Sequence, residues 1–155
     1  MDTDDFEAVV HDIGSLLAPL APLAQQWDRL SETDCWMAIL AGPIKLDLIF
    51  SEPHQNEPPW EPQPNNLAAI DCHFWDWVLW LCSKRASGKA ELVRSELDKM
   101  FVHILQPMGA LTRPDDLDDA VASYLVLREQ LERSFGVLVP RAVQREVVRA
   151  LHQNG

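Results

Sequence analysis

The chain has 155 residues, with 13 Lys plus Arg against 24 Asp plus Glu, and a formal net charge of -11. Its hydrophobic fraction of 47% and charged fraction of 24% are those of a folded globular protein, long enough for one domain with a smaller attached lobe. A pI near 4.7 argues against the basic stripe a nucleic-acid partner needs, and against docking on anionic lipid.

Three cysteines, Cys35, Cys72 and Cys82, cannot all pair within one chain and do not make a disulfide framework. The acidic start Met1-Asp2-Thr3-Asp4-Asp5 has the wrong charge for a secretory signal. The longest apolar stretch, Trp77 to Cys82, falls far short of a membrane span. A cytoplasmic protein with no membrane partner is expected.

Phe6, Val9, Val10, Ile13, Leu16 and Leu17 recur at helical spacing, and acids in the first turn complement the helix dipole. Pro19 ends this helix, and Pro22 keeps the following residues extended or turned. Residues 35–41 and 44–50 are short apolar runs separated by Gly42-Pro43, the pattern of two strands in a hairpin. Period 2 places Ile44, Leu46, Leu48 and Phe50 on one face, and Lys45, Asp47 and Ile49 on the other. Asp47 is thus a carboxylate in the middle of an otherwise apolar strand.

Pro53, Pro58, Pro59, Pro62 and Pro64, nearly half of the 11 prolines, stiffen a crossing over residues 53–66 and mark a lobe boundary. Everything after it reads as helix. Asn65 or Asn66 can cap a helix reaching about Arg85 and closed by Gly88. Its apolar residues run from Leu67 to Cys82 around most of the circumference, so it is expected at the centre of a bundle. Further helices are expected over residues 89–105 and 115–135. A last one, with Pro140 in its first turn, carries Val143, Val147, Val148 and Leu151.

Two features together resemble the nucleotidyltransferase superfamily, in particular the small aminoglycoside-type nucleotidyltransferases. One is the strand Ile44-Lys45-Leu46-Asp47-Leu48-Ile49-Phe50 after a hairpin turn, which looks like the strand carrying that family's third acid. The other is Asp71-Cys72-His73-Phe74-Trp75, then Lys84-Arg85 and Gly88, opening an all-helical lobe after a loop. The resemblance covers roughly residues 6–135. It implies an α+β fold: a small partial nucleotidyltransferase-like sheet with a β-hairpin, followed by a C-terminal helical bundle. The expected division is a partial α/β lobe over 1–52, the Pro-rich crossing over 53–66, and the helical lobe over 67–155.

The chemistry implied is magnesium-dependent transfer of AMP from ATP to a hydroxyl of a small-molecule substrate, such as an aminoglycoside. In such enzymes paired acids on one strand and a third acid on a neighbour hold divalent cations that neutralise the triphosphate. Asp47 matches the third acid, a metal ligand or proton acceptor, and Lys84 and Arg85 would lie near nucleotide phosphates. The family's Gly-Ser dipeptide and its Asp-x-Asp or Asp-x-Glu pair should precede the first helix, and the chain lacks that N-terminal motif. Gly14-Ser15 falls inside a helical pattern, and Asp2-Thr3-Asp4 follows no Gly-Ser. One carboxylate is a poor ligand set for magnesium, so the chain is expected to be catalytically incomplete.

Plainer roles compete for each of these residues. Asp47 can be an exposed edge-strand residue paired with Lys45, and Lys84 and Arg85 can simply complement a helix dipole. Asp71, Cys72 and His73 are metal-ligand types, but neighbours on a helix point about 100° apart and cannot share one ion. Trp75 and Trp77 read as core, whereas for Trp60, in the polar crossing, a core role is less natural, and it could lid a pocket between lobes or anchor a partner. The acids from Asp115 to Asp119 read as a solvated helix start. The alternative function is a non-catalytic interaction or oligomerisation module. Its homo-oligomer contact, or another partner, would cover the exposed sheet edge.

Overall fold

A computed structural model of the chain describes residues 11–28, 33–53 and 60–153. Helix α1 occupies 11–17 and passes into a 3-10 turn at Ala18–Leu20, where Pro19 ends the α-helical ladder. The sheet follows as β1 (Ala24–Trp27), β2 (Thr33–Leu40) and β3 (Ile44–Pro53). The helical part comprises α2 (Leu67–Ala86), α3 (Ala90–Met100) with a π turn at Phe101–Leu105, α4 (Leu117–Phe135) and α5 (Ala142–Gln153). The fold is α+β, with a helical C-terminal part.

The three strands are antiparallel in the order β1-β2-β3. Gly42 turns the β2–β3 hairpin at φ +118°, a backbone conformation costly for residues with a Cβ. Met37 pairs with Asp47, Ile39 with Lys45, and Gln26 with Met37, so all five side chains share one face. That face meets α2: the Gln26 amide donates to the Ala69 carbonyl at 2.9 Å. The opposite face carries Gln25, Trp36 and Leu48 and meets α1, where the Gln25 amide donates to the Gly14 carbonyl at 3.1 Å. The expected strand alternation is present, and the Lys45–Asp47 face is the one turned toward the helices.

β1 escapes a reading of the sequence because its four residues, Ala24-Gln25-Gln26-Trp27, show no apolar alternation. Each glutamine instead sends its amide to a helix carbonyl on its own side of the sheet, satisfying groups that burial would otherwise penalise.

Helix α2 is the centre of the molecule. Residues 70 through 78 are buried without interruption, as a helix apolar around most of its circumference requires. Asn66 precedes it without capping it. Its side chain instead accepts from the Gln63 amide and donates to the Glu61 carbonyl, closing the preceding turn. Phe74 stacks on Tyr124 of α4 at 3.7 Å between ring centroids. Met37 and Ile39 of β2 belong to the same apolar core as α2, α3, α4 and α5. Helix α4 begins at Asp116, whose carboxylate accepts from the Asp119 amide at 2.8 Å, so one of the expected acids is a cap.

Trp60 corrects an expectation. It lies in the core at 5% exposure, its ring 5.2 Å from that of His73, rather than lidding a surface pocket. The chain leaving the Pro-rich crossing lays this indole against α2 before the helix begins. Trp75 and Trp77 are buried as expected. All three cysteines are free and buried. Burial pushes the Cys35 and Cys72 thiols up to about 12 and that of Cys82 to about 11, which removes thiolate character at neutral pH.

Candidate functional site

A cleft of about 310 Å³ opens between the sheet and the helices. Asp28 contributes from the end of β1, Lys45 and Asp47 from β3, and Glu96, Lys99 and His103 from α3 and its π turn. Helix α2 supplies His73, Asp76, Trp77 and Trp80, spaced i, i+3, i+4 and i+7 along one face. Asp71 falls on another face of the same helix, so α2 carries two separate polar clusters.

Lys45 organises the cleft. Its ammonium lies 2.8 Å from Asp47 Oδ1 and 2.8 Å from Asp76 Oδ2, tying the edge strand to the central helix. Burial pushes the Lys45 pKa down, but Asp76 and Asp47 outweigh it and leave the ammonium above its ordinary value. Asp76 is buried, and its pKa rises to about 6 because desolvation exceeds the attraction of Lys45. Asp47 sits further out, with its side chain 32% exposed, at the mouth of the cleft.

His73 forms part of the floor. Its Nδ1 lies 3.6 Å from Asp28 Oδ1, beyond hydrogen-bond reach, and its ring lies between those of Trp60 and Trp77. Burial drives its pKa to about 4, with Asp28 opposing and Lys45 and His103 adding to the fall. The imidazole is therefore neutral at physiological pH. Neither of its ring nitrogens, nor Asp76 Oδ1, has a hydrogen-bond partner among the described residues. Buried polar atoms left without a partner carry a desolvation cost that the apolar floor does not offset. Nearer the rim, Trp77 Nε1 donates to Glu96 at 3.2 Å, and Lys99 pairs with Glu96 at 2.7 Å.

The second cluster on α2 is structural. Asp71 Oδ1 accepts from Trp75 Nε1, Tyr124 Oη and Arg128 Nη1 at 3.1, 2.7 and 2.7 Å. Arg128 also donates to Gln144 of α5 at 2.7 Å. Burial raises the Asp71 pKa against these donors. An ion pair so placed joins three helices, and losing either partner would leave a buried charge uncompensated.

Of the three residues the resemblance offers as site residues, Asp47, Lys84 and Arg85, only Asp47 lines the cleft. Lys84 reaches back over the Trp80 ring, 5.2 Å from its centroid, and Arg85 lies 3.5 Å from Asp118 of α4. Neither lines the cleft; the last turn of α2 directs them along and away from it. Asp28, Asp76, Glu96, Lys99 and His103 did not stand out in the sequence. The spacing of His73, Asp76, Trp77 and Trp80 was a usable signal for Asp76, obscured by the apolar residues between them.

The set does not form a site for a divalent cation. Asp47 Oδ1 is held by an ammonium, and among the described residues no group of three His, Cys, Asp or Glu side chains converges to bind a metal. Asp2-Thr3-Asp4 lies outside the described residues. No described helix is long and apolar enough to cross a membrane. No family model matches the chain, and no curated protein or solved structure matches it.

Proposed function

We propose that the chain is a nucleotidyltransferase-like protein, catalytically incomplete as it stands. Its parent chemistry is metal-dependent transfer of AMP from ATP to the hydroxyl of a small molecule such as an aminoglycoside. The observation that carries the reading is the place of Asp47, presented from a strand at the mouth of a cleft shared with a tryptophan-bearing helix. An acid in that position can accept a proton from, or orient, a hydroxyl entering the cleft.

Incompleteness follows from the partners of Asp47. Two-metal phosphoryl chemistry needs several hard oxygen ligands around each ion, whereas the nearest charge to Asp47 here is the Lys45 ammonium at 2.8 Å. Lys45 neutralises the carboxylates that a cation would need.

Incubation with ATP, magnesium and a panel of aminoglycosides is expected to give no adenylylated product by mass spectrometry. Turnover in the starting protein that disappears in Asp47→Asn would overturn the claim of incompleteness while supporting the family reading. Calorimetric titration with ATP addresses the family reading itself: binding weakened by Asp47→Asn supports it, and the absence of any nucleotide binding counts against it.

A further inference from the structure

Strand β3 lies at the margin of the sheet, and among the described residues no strand pairs with its outer side. It is ten residues long, and Ile44 and Ile49 on it are 56% and 72% exposed. Edges of this kind invite a further strand unless charge, proline or a bulge blunts them. The irregularity in β2–β3 pairing falls between Thr33 and Cys35, opposite the stretch from Ile49 to Pro53. It leaves Ile44–Ile49 as the regular, pairable segment. Its charges are Lys45 and Asp47, opposite in sign and two residues apart.

We propose that β3 pairs antiparallel with β3 of a second copy of this chain, about a two-fold axis through Leu46, making one six-stranded sheet. Charge favours one register, the one that sets opposite charges directly against each other. An axis at Asp47 would set two carboxylates directly opposite each other, and one at Lys45 two ammonium groups, both unfavourable as cross-strand pairs. An axis at Leu46 sets Lys45 against the partner's Asp47, and by symmetry Asp47 against the partner's Lys45. On the other face, Ile44 meets the partner's Leu48, and Leu46 the partner's Leu46. Because Lys45 and Asp47 face the cleft, each copy delivers a lysine beside the Asp47 of the other, and each cleft mouth becomes shared. The proposal goes beyond the nucleotide reading and does not rest on it: strand order, exposure and charge carry it.

Sedimentation velocity on the full chain across a micromolar concentration series, at near-physiological salt, tests it. A concentration-dependent dimer is expected. Ile44→Glu, a change at an exposed position, should shift that dimer to monomer without altering the far-UV spectrum. The register is read by mild oxidation with copper phenanthroline: Leu46→Cys should give a covalent dimer and Leu48→Cys should not. A monomer at every concentration overturns the proposal. So does a dimer that persists in Ile44→Glu, or one that fails to cross-link through Leu46→Cys.

Discussion

The cleft holds two buried groups whose protonation energetics oppose each other. Asp76 carries a pKa of about 6, above its unfolded value near 3.9. The folded state therefore holds the extra proton between these values, and this contribution to stability is lost as pH rises through about 6. His73 carries a pKa of about 4, below its unfolded value near 6.5. The unfolded state binds the extra proton there, and stability rises with pH across that window. The two slopes largely cancel in the natural protein. His73→Gln removes one of them, so unfolding free energy should fall relative to the natural protein by up to about 1.4 kcal/mol per pH unit between pH 4 and 6. Urea melts at three pH values in that interval measure the difference, and parallel pH profiles would refute it. Lys45, Asp28, Asp47 and His103 bear on these groups from neighbouring elements, and nothing in their sequence spacing announces that they meet.

Among the elements, α4 is the one whose ends are most fully specified. Asp116 caps it, and Gly136 closes it at φ 67° with its amide on the Glu132 carbonyl. The buried Glu132 side chain then accepts from the Val139 amide at 2.7 Å and pairs with Arg141, fixing the approach to α5. Asp116→Ala should lower stability by about 1 kcal/mol, read as a lower urea midpoint with an unchanged slope; a midpoint equal to that of the natural protein would show that the cap is dispensable. The helix positions were legible in the sequence because apolar residues recur at helical spacing between Gly and Pro breaks. β1 was not legible, since its identity as a strand depends on Gln25 and Gln26 finding helix carbonyls on opposite sides of the sheet. The π turn at Phe101–Leu105 was likewise hidden inside a continuous helical pattern.

At the scale of the whole molecule, sheet and helices share one apolar core. Met37 and Ile39 are fully buried among residues of α2 to α5, so the sheet draws stability from the bundle and the bundle from the sheet. Met37→Ala should cost about 2–5 kcal/mol. Tryptophan fluorescence, which reports both parts, and far-UV ellipticity, dominated by helix, should shift together in one transition. Separate transitions would show two independently folding units.

The sequence by itself determined the elements with strong periodicity: the hairpin, the alternation that sets Lys45 and Asp47 on one face, and the central place of α2. These depend on local geometry and on the period at which apolar residues recur, and both are written along the chain. Only the tertiary structure decided which groups share the cleft, that Trp60 is core, and that Asp71 and Asp76 serve different clusters. Those outcomes depend on desolvation and on charge partners 31 to 57 residues apart in sequence, energies that exist only once the elements have packed.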